Sequence, residues 1–170
     1  MKAKTSTSKL KINFIASKDW ENIGFDYKSI ANSILHMCMG ATQFSSIYKN
    51  IELSLKLSDD AEMQSLNKEF RGYDNPTNVL SFPNFVFDTK RFEACMAEYD
   101  GYIGDIIASL DTLERESIEQ GKPLKNHYAH IICHGILHLL GYDHIDDAQA
   151  NEMENIETNI LNCLSIPNPY

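Results

Sequence analysis

The 170-residue sequence contains no run of 18 or more apolar residues, which is about the length that a membrane-spanning helix needs. Its first nine residues are polar and lack the apolar stretch of a signal peptide. Internal repeats and low-complexity runs are also absent. These absences predict a globular protein without a membrane segment, and the length favours one domain over residues 1–170.

Cysteine is scarce: the chain has four, and no two of them form a CxxC pair. In a chain of this size that pattern predicts reduced thiols and a cytoplasmic location. Cys133 adjoins His134, but on a helix it points about 100° away from that histidine. We therefore expect a small buried side chain at Cys133 rather than a metal ligand.

Positive charge is also in short supply, with 15 Lys and Arg against 24 Asp and Glu and a net charge of −9. Residues 1–57 hold eight lysines and four acids, whereas residues 58–170 hold seven basic and twenty acidic residues. An acidic protein is not a natural binder of polyanions. Any contact with nucleic acid must therefore depend on a local basic patch, for which the N-terminal segment and Arg71 are the candidates.

Hydrophobic periodicity predicts a mixed chain of strands and helices. Alternating apolar residues predict strands at 9–15, 50–57, 77–82 and 102–109, the last two paired with each other. Helical spacing predicts helices at 26–39, 58–71, 110–120 and 125–140, and a final helix that begins at Asp146, with Ser58 as the N-cap of the second. The irregular stretch 84–101 carries aromatic residues that are candidates to flank a cleft. The expected class is α+β, a small mixed sheet of about four strands packed with about five helices.

Three histidines in residues 134–144 form the motif that bears most directly on function. His134 and His138 are four residues apart, so on a helix their imidazoles lie on one face and can bind one ion. Gly141 can adopt the left-handed conformation that ends a helix, which would bring His144 back as a third nitrogen ligand. Three protein ligands with a fourth position for water are typical of a catalytic zinc. The sequence therefore predicts one Zn²⁺ per chain.

The residue after the first histidine is Gly135. Metalloproteases with a similar histidine string carry a glutamate there, which serves as the general base. Peptide hydrolysis is therefore disfavoured, although a protease-like zinc hydrolase with another base stays an alternative.

The chain resembles the YbeY family of zinc-dependent endoribonucleases, also called rRNA maturation factors. The resemblance covers nearly the whole chain and depends most on the string His134–His144. The other matching stretches are Leu66-Asn67-Lys68-Glu69-Phe70-Arg71, Pro76-Thr77-Asn78-Val79-Leu80-Ser81-Phe82-Pro83, Gly104-Asp105-Ile106 and Pro167-Asn168-Pro169-Tyr170. The family usually has aspartate where this chain has Asn78, so the need for a charge at that position is open.

The resemblance implies a zincin-like fold, zinc on His134, His138 and His144, and a role for Arg71 near the cleft. It further implies cleavage of single-stranded RNA in the maturation of small-subunit ribosomal RNA and in ribosome quality control. The implied partners are ribosomal RNA, the small ribosomal subunit and its assembly proteins, in the cytoplasm. Neither a membrane nor DNA is an expected partner.

Three residues near the histidines have two interpretations each. Arg71 either stabilises charge on the phosphate or forms a surface ion pair at a helix end. His130 either handles a proton or contacts a ligand residue, or it is a polar flank. Asp143 either handles a proton or holds the turn and an imidazole. The nucleophile, a metal-activated water or the RNA 2′-hydroxyl, is also open.

A third hypothesis is a non-catalytic ribosome-assembly factor in which zinc mainly stabilises the fold. The open fourth ligand position argues against it.

Overall fold

The computed structural model describes residues 9–42, 44, 50–84 and 101–170. Most of the aromatic stretch that we expected to flank a cleft, residues 85–100, lies outside the described residues. In chain order the described elements are β1 (Lys9–Ala16), a 3-10 helix (Lys18–Asn22), α1 (Tyr27–Ala41), β2 (Asn50–Ser58), α2 (Asp60–Arg71), β3 (Val79–Pro83), β4 (Tyr102–Ser109), α3 (Leu110–Glu119), α4 (Leu124–Leu139) and α5 (Asp147–Cys163).

The four described strands form one mixed sheet in the order β1-β2-β4-β3. β1 runs parallel to β2, and β2 runs parallel to β4. β3 is antiparallel to β4, with Val79 opposite Ala108 and Pro83 opposite Gly104. The predicted pairing of the last two strands is therefore confirmed.

In β2 every second side chain is buried, from Ile51 to Leu57, which is the pattern of a strand with one face on the core.

Helix α4 is the central helix of the fold. It packs against α1, α3, α5 and the strands β3 and β4. Ten of its sixteen residues are buried, so packing rather than one amphipathic stripe holds it in place. Every side chain that α4 contributes to a site is thus held on a rigid element.

The start of α2 differs from the prediction. Ser58 is the last residue of β2 and donates its hydroxyl to Glu62, whereas Asp59 is the N-cap and accepts from the Glu62 backbone N–H at 2.9 Å. β2 continues one residue further than the alternation indicated, because Ser58 is itself buried in the sheet. The cap therefore moves one position along the chain.

The predicted class is confirmed: the described elements make an α+β fold with a four-stranded mixed sheet and five α-helices. Within the described ranges, no helix is both long enough and apolar enough to cross a membrane.

Candidate metal centre

The side chains of His134, His138 and His144 converge at the end of α4. One nitrogen from each lies within 4.8 Å of the other two. The Nε2 atoms of His134 and His138 are 3.0 Å apart. The His144 ring centroid lies 5.4 Å from that of His134 and 5.1 Å from that of His138. The first two histidines are partly buried and the third is exposed, so the cluster opens to solvent on the His144 side.

A glycine-based cap produces this convergence. Gly141 has φ +86°, a left-handed conformation that a residue with a Cβ adopts only at a cost. Its N–H donates to the His138 carbonyl, and the Tyr142 N–H donates to the Leu137 carbonyl, both at 3.0 Å. These two bonds are the Schellman arrangement, which ends the helix and reverses the chain. The reversal brings His144 back beside the helical pair.

The outer nitrogens of two of the histidines are bound to acceptors. His134 Nδ1 lies 2.8 Å from Glu157 Oε1, and His138 Nδ1 lies 3.0 Å from the Tyr142 carbonyl oxygen. A carbonyl and an ionised carboxylate only accept hydrogen bonds, so both Nδ1 atoms carry the hydrogen. Both Nε2 atoms then present lone pairs, and these lone pairs face each other across 3.0 Å. A cation between them relieves the repulsion.

The spacing of His134 and His138 suits an ion of the size of zinc. Two nitrogens that each lie about 2.0–2.1 Å from a tetrahedral ion are about 3.3 Å apart, close to the separation of the two Nε2 atoms. Burial, together with the charges of His134 and His144, lowers the pKa of His138 to about 4. The His138 imidazole is therefore neutral at pH 7, as a metal ligand must be.

The other candidate residues lie around this cluster in different ways. His130 is one turn before His134, and its Nε2 is 3.3 Å from Glu157 and 3.4 Å from the Tyr170 hydroxyl. Asp143 accepts from the His144 backbone N–H at 2.9 Å, while its carboxylate is 3.9 Å from His138 Nδ1. The Tyr142 carbonyl, not Asp143, is thus the hydrogen-bond acceptor for His138.

Arg71 is the exposed last residue of α2. Within the part of the chain that the structure describes, its side chain forms no hydrogen bond or ion pair, so the surface ion pair that we considered is not present there. Its neighbour Phe70 packs on Phe82, with ring centroids 5.0 Å apart. Ser81, beside Phe82, donates to the carbonyl of Gly135 in α4 at 3.3 Å. These contacts connect the end of α2 to the helix that bears the histidines, without direct contact between Arg71 and the cluster.

Gly135 is buried against the sheet. A Cβ at this position would lie 3.2 Å from a methyl group of Ile106 and 3.3 Å from Ser81 Oγ. A glutamate there would require these neighbours to shift, so packing in this fold disfavours the metalloprotease base at this position.

Sequence analysis missed Glu157 and Tyr170. Glu157 is fully buried in α5 and contacts His134, His130 and the Tyr170 hydroxyl. One signal was available: Glu157 occupies a helical face that otherwise buries Met153, Ile160 and Leu161. A carboxylate on such a face needs a buried partner.

The fold and the cluster together define a class, an α+β protein in which the central helix and the loop after it carry a three-histidine site with the donor set of a catalytic metal. Comparison with known proteins narrows the class. The family model of Endoribonuclease YbeY matches residues 14–165, and the chain belongs to this family. The resemblance stated from the sequence is confirmed, and with it the enzyme class, an endoribonuclease.

Two relatives illustrate the match. The Endoribonuclease YbeY of Alteromonas mediterranea is 49% identical over 119 residues, which are 70% of each chain. The solution structure of TM1509 from Thermotoga maritima has a TM-score of 0.59 at 21% identity and covers 89% of this chain and 87% of its own. The second match bears on the fold alone.

Proposed function

We propose that this endoribonuclease cleaves single-stranded RNA with one zinc ion held by His134, His138 and His144. The observation that carries the proposal is that the Nε2 atoms of His134 and His138 lie 3.0 Å apart while both Nδ1 atoms face hydrogen-bond acceptors. Family membership supplies the substrate class, because the matched family is named for RNA cleavage within the strand.

Held by these three histidines, a zinc ion would supply positive charge to polarise a phosphoryl oxygen and would lower the pKa of a water molecule to about 7. The chain contributes the arrangement around it. Tyr142 and Glu157 fix the orientations of two imidazoles, and His144 supplies the third imidazole from the loop after α4. His130, whose ring centroid lies 6.4 Å from that of His134, and Asp143, whose carboxylate lies 3.9 Å from His138 Nδ1, are the residues proposed to handle protons.

Arg71 is proposed to stabilise the charge that builds on the phosphate during cleavage. Its guanidinium is permanently charged and can bind two phosphate oxygens at once. Its exposure and the lack of a described partner leave it available to a ligand. The 60% exposed Phe70 beside it offers a ring on which a base can stack. This pairing of cation and aromatic ring suits a flexible single strand better than a duplex.

The cellular role that we propose is maturation of the 3′ end of small-subunit ribosomal RNA and ribosome quality control in the cytoplasm, with the small subunit and its assembly proteins as partners. DNA and membranes are not proposed as partners. Two other functions are weaker. The tight packing around Gly135 disfavours a protease-like hydrolase. The exposure of the histidine cluster to solvent disfavours an assembly factor in which zinc is purely structural.

The test compares wild type, His138→Ala, Arg71→Glu and Lys125→Glu on a ribosomal RNA fragment that contains single-stranded segments. Zinc content is measured by mass spectrometry and cleavage by gel. We expect His138→Ala to lose zinc and activity. Arg71→Glu should keep zinc and lose cleavage by about 100-fold or more, the usual cost of removing one donor to transition-state charge. Lys125→Glu makes the same change of charge on another exposed residue and should cleave like wild type.

Equal cleavage by all four proteins would identify a contaminating nuclease and contradict the proposal. Intact RNA binding without any cleavage by zinc-loaded wild type would favour the assembly-factor alternative. Cleavage of peptides but not RNA would favour the protease-like one.

A further inference from the structure

Glu157 is a fully buried carboxylate with donors at both oxygens. Oε1 lies 2.8 Å from His134 Nδ1. Oε2 accepts from the Tyr170 hydroxyl and lies 3.3 Å from His130 Nε2. Glu157 is thus a buried acceptor of hydrogen bonds, in contact with His134 but not itself one of the three candidate metal ligands.

The contact determines which nitrogen of His134 is free. A neutral imidazole carries one hydrogen, and an ionised carboxylate beside Nδ1 draws that hydrogen to Nδ1. Nε2 of His134 then keeps its lone pair, directed at Nε2 of His138. Without the carboxylate, nothing described in the structure prevents the hydrogen from residing on Nε2, where it would block the ligand position.

A second set of contacts holds Glu157 itself. Its second oxygen is bound by Tyr170, in the segment that follows α5. That segment is bound to the connection between α3 and α4, because the Lys122 ammonium donates to the Pro169 carbonyl at 2.5 Å. The Tyr170 backbone N–H also donates to Asn168 Oδ1 at 2.9 Å. The carboxylate is thereby restrained from both sides and cannot rotate away from His134 without breaking a hydrogen bond.

We propose that Glu157 is a positioning residue for the metal centre, which acts through His134 by holding its hydrogen on Nδ1 and its Nε2 toward the ion. This inference rests on the proposed three-histidine metal site. It assigns a role in metal binding to α5, an element that carries none of the three histidines.

The chain contains a natural control for this role. Glu116 of α3 pairs with the buried His127 of the same helix α4, at 2.7 Å from its Nε2. His127 is not part of the three-histidine cluster. Substitution of Glu116 therefore breaks a carboxylate–histidine pair of the same kind without touching the metal centre.

The first test measures zinc affinity by competition with a chromophoric chelator for wild type, Glu157→Gln, Glu157→Met and Glu116→Met. Methionine matches the length of the side chain and removes both acceptors, whereas glutamine keeps one acceptor oxygen. We expect zinc Kd to rise by about 10-fold for Glu157→Gln and about 100-fold for Glu157→Met, the range measured for such outer contacts. The zinc Kd of Glu116→Met should stay within about twofold of wild type, because Glu116 is paired with His127, which is not one of the three histidines.

The second test reads the histidine tautomers directly, by long-range ¹H–¹⁵N spectra of the metal-free protein at pH 7. In wild type, His134 should carry its hydrogen on Nδ1, and Glu157→Met should lose that preference. The wild-type spectrum decides the matter even if Glu157→Met does not fold.

A hydrogen on Nε2 of His134 in wild type would overturn the inference. Equal zinc Kd values for Glu157→Met and Glu116→Met would also overturn it, because any weakening of zinc binding would then reflect a general loss of stability. Neither readout requires RNA cleavage. If zinc affinity depends on Glu157 but no RNA is cut, the proposed function fails and this inference stands.

Discussion

Asn78 is the residue at which the chain departs from the pattern of the family that it resembles. Its Nδ2 donates to both carboxylate oxygens of Glu116, at 3.2 and 3.0 Å. Glu116 is also bound to His127. Burial would raise the pKa of Glu116, but the hydrogen bonds from His127 and Asn78 outweigh it and lower the pKa. An amide, rather than a carboxylate, therefore suits this position in this chain.

We predict that Asn78→Asp destabilises the protein by about 1–3 kcal/mol at pH 7, because it replaces a donor with a second acceptor beside the Glu116 carboxylate. The loss should show in urea unfolding followed by circular dichroism. The double variant Asn78→Asp/Glu116→Gln restores a donor opposite the new carboxylate and should recover part of that stability. An unchanged midpoint for Asn78→Asp would contradict this account of the Glu116 contacts.

At the scale of elements, the end of α4 has the largest consequence for the site. The same turn that ends the helix also supplies the Tyr142 carbonyl that binds His138 Nδ1. Helix capping and ligand orientation therefore depend on one conformation, that of Gly141.

Replacing Gly141 by alanine should cost about 1–2 kcal/mol of unfolding free energy, because a residue with a Cβ is strained at φ +86°. Zinc affinity should fall as well, since relief of the strain displaces Tyr142 from His138. Thermal unfolding and a zinc titration of the same variant measure the two effects. Gly40→Ala is a suitable control, because a Cβ at Gly40 meets nothing within 4 Å and its φ is not left-handed. Wild-type zinc affinity in Gly141→Ala would show that capping and ligand orientation are independent.

Features that depend on residues close together in the sequence could be predicted, whereas features that depend on residues far apart in the sequence could not. The strands, the helices and the gathering of the three histidines depend on residues within a few positions of one another, so periodicity and the glycine rule indicated them. Glu157 was missed because it meets His134 only after α5 packs on α4, 23 residues along the chain. The helix cap at Asp59 was missed because the sheet, not the local sequence, decides where β2 ends.

For the molecule as a whole, the stability of the metal-free protein should depend on pH through His138. The pKa of His138 is about 4 in the folded chain and 6.5 by ordinary reference. Between these values the unfolded chain binds a proton that the folded chain does not bind, so stability is lost as the pH falls from about 6.5 to about 4. The loss amounts to about 3 kcal/mol at most for a shift of this size.

Urea unfolding of chelator-treated protein at pH 7, 5.5 and 4.5 measures this dependence. His138→Ala should show a shallower decline over the same range. Saturating zinc should raise stability at pH 7, because the ion binds the folded chain in preference to the unfolded one. Identical pH profiles for wild type and His138→Ala would refute the role given to His138.

The three histidines lie within eleven consecutive residues, and this spacing bears on the order in which the molecule is built. Closing so short a loop carries little chain entropy cost, so the imidazoles would be able to gather on an ion before residues 145–170 pack against them. Glu157 and Tyr170 would then contact ligands that are already assembled. Metal binding would thus precede completion of the tertiary structure, and α5 would slow the release of the ion.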